Sequence, residues 1–169
     1  DENFTRYSPV PGYPDLRQAI VDKLKKENNL DYDISQIVVS TGAKQSLSNV
    51  ILTLINPGDE VVIPTPYWVS YSEMVTLAEG KSVFINTEIE SDFKITPEQV
   101  EAAITPKTKL FMFSSPCKPT GSVYSEAELA ALAKVFEKHP NIFIISDEIY
   151  EHINFGTAHA SIAQFDSIK

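Results

Sequence analysis

The amino-acid sequence predicts an α/β fold of three layers, α/β/α, with a mainly parallel central sheet. Strand and helix signals alternate along the 169 residues, a layout typical of parallel sheets whose connecting helices cover both faces. Some strand signals are continuous apolar runs, such as residues 110–113, as expected for strands buried on both faces. With 43% hydrophobic and 22% charged residues, the chain has the composition of a globular domain with a substantial core.

Two helices and a short strand are predicted in the first third of the chain. Pro14 suits the first turn of a helix, and apolar residues recur at helical spacing from there to Asn28. Residues 37–39 predict a short strand, and residues 41–43 a tight turn. Apolar residues between 47 and 54 then mark one face of the next helix.

The middle of the chain adds two strands with a helix between them. Residues 60–64 and 82–86 predict the strands, the first with a continuous apolar centre. Pro66 is expected to open the helix near Tyr67, and Gly80 to end it as a left-handed cap residue.

Two capping boxes mark the start of the last two predicted helices. Residues 96–99 and 125–128 each have a hydroxyl residue followed, three positions later, by Gln or Glu. Buried strands are predicted at residues 110–113 and 142–146, and a polar surface loop at 88–94. The alternation of strand and helix therefore continues to the strand that ends before Asp147.

Charge and composition exclude several classes of partner. A net charge of -9 and a pI near 4.8 leave no basic face to neutralise phosphates, so we expect no nucleic-acid partner. We see no signal-peptide pattern and no apolar stretch long enough to span a bilayer, and we expect no membrane association and no metal site.

The single cysteine, Cys117, fits a reducing, cytoplasmic compartment, and a small buried apolar role is favoured over a reactive thiol. Because Asp1 is not methionine, we expect the chain to begin inside a longer protein.

Two segments that follow predicted strands could contact a ligand. The turn at residues 41–45 precedes a helix, whose first N–H groups and positive dipole end suit a phosphate, and its glycine lets the backbone approach closely. A solvated surface lysine is the alternative for Lys44. Trp68, the only tryptophan, could stack on a planar ligand or pack in the core.

Two further segments carry polar side chains after strands. The loop at residues 114–121 contains two prolines and a glycine, which favour a rigid ligand-shaping segment or a plain turn. Asp147 and Tyr150 follow the last strand, at the edge where ligands of α/β sheets bind. A carboxylate in such a place requires a positive partner, for example a protonated ring nitrogen. Alternatively, Asp147 caps the segment that follows it.

Taken together, these segments resemble the fold-type I pyridoxal-phosphate enzymes, most of all the class I aminotransferases of the aspartate and aromatic type. The matching stretches are YSPVPGYPDLR at 7–17, STGAKQ at 40–45, PTPYWVSY at 64–71 and SDEIYE at 146–151. They occur in the family's order and spacing, and the resemblance covers nearly the whole chain.

The resemblance implies a set of cofactor-binding residues. The backbone at Gly42, Ala43 and Lys44 would hold the phosphate of pyridoxal 5'-phosphate, and Trp68 would stack on its ring. Asp147 would pair with the ring nitrogen and keep it protonated, so that the ring can accept electrons. Tyr150 would hydrogen-bond the phenolic oxygen of the ring. Tyr7 would reach the phosphate of the neighbouring subunit in a homodimer, and Gly12 would lie near the substrate carboxylate.

Two departures from the family pattern matter. The family has an asparagine, which binds the phenolic oxygen of the ring, where this chain has Lys118. A longer, cationic lysine could pair with that oxygen, clash with the ring or turn away. The family's Schiff-base lysine falls in a Ser-Lys segment that would lie beyond Lys169, so we expect no catalytic residue in this chain. The resemblance thus implies that residues 1–169 are the core of the cofactor-binding large domain, without the small domain.

The function implied by the resemblance is transfer of an amino group between an amino acid and a 2-oxo acid, with the chain alone inactive. A carbon–sulfur lyase on the same scaffold is one alternative, since it shares the cofactor motifs. The other is a non-catalytic domain that retains the fold, which the lysine at position 118 favours slightly.

Overall fold

The computed structural model describes residues 5–156 and 158–168. Asp1, on which the expectation of a longer protein rests, and Lys169, beyond which the lysine segment is expected, lie outside the described residues. The chain divides into two compact units, Asp1–Ser46 and Leu47–Lys169. The helices and strands, in chain order, are α1 (Pro14–Asn28), α2 (Ala43–Leu54), β1 (Glu60–Thr65), α3 (Ser70–Leu77), β2 (Lys81–Asn86), α4 (Pro97–Ala103), β3 (Thr108–Ser114), α5 (Glu126–Phe136) and β4 (Phe143–Asp147).

The first unit contains α1 and the segment that leads to α2. Pro14 is in the first turn of α1, as predicted, and Asn29 ends the helix in the left-handed conformation with φ 54°. The side chain of Arg17 in α1 donates hydrogen bonds to the backbone oxygens of Ile34 and Ile37. The helix thus holds the segment that follows it. These bonds explain why an arginine is present at a partly buried position.

The predicted strand at residues 37–39 is wrong. The backbone there is extended at Ile37, but residues 37–39 do not form a strand. The N–H of Val39 donates to the oxygen of Pro11 at 2.9 Å. Pro11 has no N–H to donate in return, so a ladder of paired hydrogen bonds does not continue there. The apolar residues 37–39 therefore form an extended segment rather than a paired strand.

The second unit is an α/β sandwich of three layers around a parallel sheet. The strand order is β2-β1-β3-β4, and all three pairings are parallel. Helices α2 and α3 pack on one face of the sheet with Val61, Ile63, Leu110 and Met112. Helices α4 and α5 pack on the other face with Val62, Phe111 and Phe113. Alternate residues of one strand thus face opposite layers, as the period of two requires, and the predicted fold class is confirmed.

Both predicted capping boxes are confirmed. The hydroxyl of Thr96 accepts from the N–H of Gln99, and the hydroxyl of Ser125 accepts from the N–H of Glu128, with the reciprocal side-chain bonds present. The strands predicted at 60–64, 82–86 and 110–113 are also present.

The predictions for α3 need correction at both ends. The helix begins at Ser70 rather than near Tyr67, because the Tyr67 ring stacks on Phe84 of β2 at 5.2 Å and this packing outweighs the local helix signal. The left-handed residue after the helix is Glu79, with φ 60°. Gly80 is required for space instead, since a Cβ there would lie 2.6 Å from Cγ2 of Ile55.

The last strand is less buried than its apolar sequence predicts. Phe143 of β4 is 47% exposed, and the strand's other residues are half-buried. The reason is position, because β4 lies at one edge of the described sheet. Asp147 is the final residue of β4 rather than the first residue beyond it.

Among the described residues, no helix is both long and apolar enough to cross a membrane.

Candidate functional site

The turn before α2 has the local geometry of an anion site. Gly42 is left-handed, with φ 86°, and apart from its chain neighbours none of the described residues comes within 4 Å of where a Cβ would lie. Helix α2 begins at Ala43, and the N–H groups of Gln45 and Ser46 donate to the oxygen of Gly42 at 3.1 and 3.4 Å. Gln45 orders the turn through its side-chain oxygen, which accepts from the N–H of Thr41 at 2.5 Å. The predicted phosphate turn is therefore exposed and preformed.

The other two predicted residues of the first unit differ in their surroundings. Tyr7 is fully exposed. Gly12 has φ 100°, and a Cβ there would lie 2.8 Å from Cβ of Val39. A glycine at position 12 is therefore required by the fold itself, whether or not it contacts a substrate.

In the second unit, the predicted residues follow strand ends at one edge of the sheet. Asp147 pairs with Ser114 in the register of β3 and β4, and the N–H of Ser115 donates to the oxygen of Asp147 at 3.1 Å. Trp68 follows β1, and Lys118 follows β3. Because the strands are parallel, their carboxyl ends meet at this edge.

Two donors among the described residues hold the Asp147 carboxylate. The Tyr71 hydroxyl donates to Oδ2 at 2.6 Å, and the N–H of Ile149 donates to Oδ1 at 3.3 Å. The second bond is the predicted cap, so Asp147 does cap the following segment. Its lone pairs are not exhausted by these two donors, since a carboxylate has about four acceptor positions.

Tyr71 is the residue that sequence reasoning missed. Its side chain is buried, with 1% exposure, and burial, followed by the adjacent Asp147 carboxylate, raises the pKa of the Tyr71 phenol well above its usual range. The phenol thus stays protonated and acts as a permanent hydrogen-bond donor to the carboxylate. Tyr71 belongs to the PTPYWVSY stretch, but the signal for its role is spatial, since 76 positions separate it from Asp147.

Trp68 is half-buried at the border of the core. Its ring meets that of Tyr71 edge-on, with the centroids 5.7 Å apart and an interplanar angle of 82°. Core packing and ligand stacking are therefore compatible at this position, because the edge contact fixes the tryptophan without using both of its faces.

The loop after β3 is tied together by its own hydrogen bonds. The N–H of Gly121 donates to the oxygen of Cys117 at 2.8 Å, and the N–H of Cys117 donates to the oxygen of Ser122 at 2.9 Å. The Ser122 hydroxyl donates to the oxygen of Asp92 at 2.6 Å. Cys117 is half-buried and not disulfide-bonded, with Sγ 3.7 Å from the oxygen of Pro66. Lys118 is thus presented from an ordered loop.

Lys118 and Tyr150 line one open cleft of about 890 Å³. The Lys118 side chain is exposed, and none of the described residues forms an ion pair with it. Lys94, the other lysine of the cleft, is paired with Glu128 at 3.1 Å and Asp92 at 3.4 Å. Lys118 is thus an exposed cation at the lining of this cleft.

Comparisons with known proteins agree with this geometry. The family model for aminotransferase class I and II matches residues 1–167. The chain is 53% identical over 154 residues to a probable aspartate/prephenate aminotransferase of Rickettsia bellii, a match covering 91% of this chain and 39% of that relative. It is 55% identical over 150 residues to the aspartate/prephenate aminotransferase of Nitrosomonas europaea, covering 89% and 38%.

Solved structures show the same similarity in three dimensions. The aspartate aminotransferase from Rhizobium meliloti superposes with a TM-score of 0.95 at 43% identity, over 98% of this chain and 42% of that one. An aromatic aminotransferase from Pyrococcus horikoshii gives 0.92 at 38% identity, over 97% and 44%. This chain thus spans about two fifths of the length of the curated relatives it matches. The chain belongs to the class I and II aminotransferase family.

Proposed function

We propose that this chain provides the cofactor-binding part of a pyridoxal-phosphate-dependent aminotransferase. The observation that carries the proposal is the Asp147 carboxylate, which lies at the carboxyl end of a parallel strand and is fixed by a buried tyrosine. A carboxylate that is oriented but not saturated by its donors fits a protonated ring nitrogen. Family membership supports the assignment of that ring to pyridoxal 5'-phosphate.

Each remaining residue has a role that its surroundings allow. Gly42, Ala43 and Lys44 would hold the phosphate with the first amides of α2, and Trp68 would offer a ring face to the pyridine. Tyr150 would donate to the phenolic oxygen of the ring, and Lys118 extends into the same cleft. When bound, the cofactor supplies an electron sink for the reacting carbon.

The substrates we propose are an amino acid and a 2-oxo acid, with aspartate as the amino donor. The names of the relatives support aspartate, since they are aspartate/prephenate aminotransferases. We also propose a cytoplasmic homodimer, in which Tyr7 reaches the phosphate of the partner subunit and Gly12 lies near the substrate carboxylate. The full exposure of Tyr7 leaves it available for such a contact.

A chimera provides the test of this function. In it, the present chain replaces the matching 38% of the Nitrosomonas europaea relative. We expect the purified chimera to bind pyridoxal 5'-phosphate and to convert aspartate and 2-oxoglutarate to oxaloacetate and glutamate. The 169-residue chain alone should show no turnover in the same assay.

Three results would contradict the proposal. Cleavage of cystathionine by the chimera without transamination would indicate a carbon–sulfur lyase. A folded chimera that binds no cofactor would indicate a non-catalytic domain. Turnover by the isolated chain, free of contaminating enzyme, would show that the chemistry needs no residue outside this sequence.

A further inference from the structure

A second cluster of polar side chains lies behind Asp147. Ile145 packs with the α2 and α3 layer, and Ile144 with the α4 and α5 layer. By the alternation of a strand, Asp147 therefore faces the first layer, where it meets Tyr71, and Ser146 faces the second. The Ser146 hydroxyl donates to the Glu148 carboxylate, which also contacts His159 and Ser161.

The Glu148 carboxylate accepts three hydrogen bonds. The hydroxyls of Ser146 and Ser161 each donate to Oε1 at 2.7 Å, and Nε2 of His159 lies 2.9 Å from Oε2. Because an ionised carboxylate only accepts, the nitrogen facing it must carry the proton. Hydrogen bonds to a charged acceptor in a partly buried place are among the stronger ones.

This cluster is anchored in the core. Ser161 is 2% exposed, and its neighbours Ala160 and Ile162 are buried in the cluster that includes α5. The residues around Ser161 are thus a fixed support. Glu148 connects that support to the turn that begins at Asp147 and contains Tyr150.

A metal ion is a weaker interpretation of the same residues. Glu148, Glu151 and His159 place one potential ligand atom each within 4.8 Å of one another. A metal-bound histidine almost always donates its second ring N–H to an acceptor. Here Nδ1 of His159 is buried and has no hydrogen-bond partner among the described residues, so a hydrogen-bonded cluster explains the geometry better than a cation.

We propose that Glu148 and His159 are positioning residues, which hold the turn at 147–150 from the side opposite to Tyr71. They fix the direction of the Asp147 carboxylate and the entry of Tyr150 into the cleft. The consequence for cofactor binding rests on the proposed function, whereas the consequence for the turn does not.

Hydrogen exchange of the 169-residue chain without cofactor, followed by mass spectrometry, tests the effect on the turn. The N–H groups of Glu151 and Ile153 donate to the oxygens of Glu148 and Tyr150, and they report its closure. In His159→Ala we expect them to exchange about tenfold faster or more, with β1 amides unchanged, because a hydrogen bond to a charged group is lost locally. His159→Gln, whose amide can still donate, should restore most of the protection.

His152→Ala is the matched control, because the His152 side chain is 74% exposed although its Nε2 lies 3.2 Å from Glu151. It should exchange like the unaltered chain. Should His159→Ala unfold, Ser161→Ala removes one of the three donors and should give a smaller acceleration at the same amides. The proposal would be overturned if the turn amides exchanged equally fast in His159→Ala and His152→Ala, or if His159→Ala accelerated exchange in β1 as much as in the turn. Stoichiometric zinc binding that requires His159 would also overturn it.

The chimera separates this proposal from the proposed function. His159→Ala should change the absorbance spectrum of bound cofactor and lower kcat more than it changes KM, and His159→Gln should restore both. Faster exchange at the turn with an unchanged cofactor spectrum would contradict the positioning role while leaving the cofactor assignment in place. A chimera without cofactor would contradict the proposed function alone.

Discussion

At the scale of single residues, the contact between Tyr71 and Asp147 decides how the site is arranged. A buried phenol that stays protonated donates to the carboxylate at 2.6 Å and so helps to orient it. The carboxylate was visible in the sequence because it follows an apolar strand. Its partner was not, because nothing local distinguishes a tyrosine that donates to a distant carboxylate from one that fills the core.

Tyr71→Phe tests this contact. Removing the hydroxyl should lower the free energy of unfolding by about 1.5–3 kcal/mol, the usual value for a hydrogen bond to a charged group. Tyr67→Phe is the matched control, since the Tyr67 hydroxyl donates to the neutral Ser72 hydroxyl at 3.1 Å, and its loss should lower the free energy of unfolding by less. Urea unfolding followed by circular dichroism measures both. Equal losses in the two variants would mean that the charge of Asp147 adds nothing.

Lys118 stands where the resemblance implies an asparagine. In the chimera we expect Lys118→Asn to raise kcat/KM for aspartate about tenfold, because a short neutral amide restores a fixed donor to the phenolic oxygen. Lys107→Asn, at an exposed turn before the amino end of β3, should leave kcat/KM unchanged. If Lys118→Asn has no effect either, the lysine is a neutral replacement and our account of the loop is wrong.

At the scale of elements, sequence signals predicted helix starts correctly where the hydrogen bonds involved are local, and failed where distant residues decide the structure. The capping boxes fixed the starts of α4 and α5 because their hydrogen bonds lie within four residues. The start of α3 and the role of Gly80 were mispredicted because both depend on neighbours distant in sequence, Phe84 and Ile55 respectively. The apolar run at 37–39 failed for a related reason, since a strand also requires a partner.

Glu60 connects β1 to β2 and to the loop before β3, and it makes the stability depend on pH. Its carboxylate accepts from the Thr105 hydroxyl at 2.6 Å and from Lys81 at 3.1 Å. These bonds, with that of Thr105 the larger cause, lower the pKa of Glu60. Because the pKa of Glu60 is lowered by folding, its contribution to the free energy of unfolding is complete above the pKa of the unfolded chain, about 4.3. That contribution is lost as the pH falls through the pKa of the folded chain.

Glu60→Gln should therefore flatten the acid limb of the stability curve. We expect the free energy of unfolding to fall less steeply between about pH 5 and pH 3 in the variant than in the unaltered chain. Glu90→Gln, at an exposed position, should keep the original slope. Urea titrations at several pH values measure this, and identical slopes for Glu60→Gln and the unaltered chain would contradict the assignment.

At the scale of the whole molecule, each of the two units has its own part of the candidate site. In the second unit, parallel strands bring Trp68, Lys118 and Asp147 to one edge of the sheet, and the alternation along β4 divides its polar residues between two layers. The first unit presents its own preformed turn at the start of α2. These features support our proposal that the chain, which spans about two fifths of the length of its relatives, holds a phosphate and a protonated ring.

The most direct test of this account is Asp147→Asn in the chimera. The amide keeps the shape of the side chain and its bond from Tyr71 but removes the charge that keeps the ring nitrogen protonated. We expect cofactor occupancy, measured by absorbance, to stay near normal, and the single-turnover rate with aspartate to fall by about 100-fold or more, as for loss of other preorganised electrostatic groups. Asp92→Asn, at the rim of the cleft, should retain the rate. A near-normal rate in Asp147→Asn would mean that this aspartate only caps the turn after β4, and would contradict the central claim.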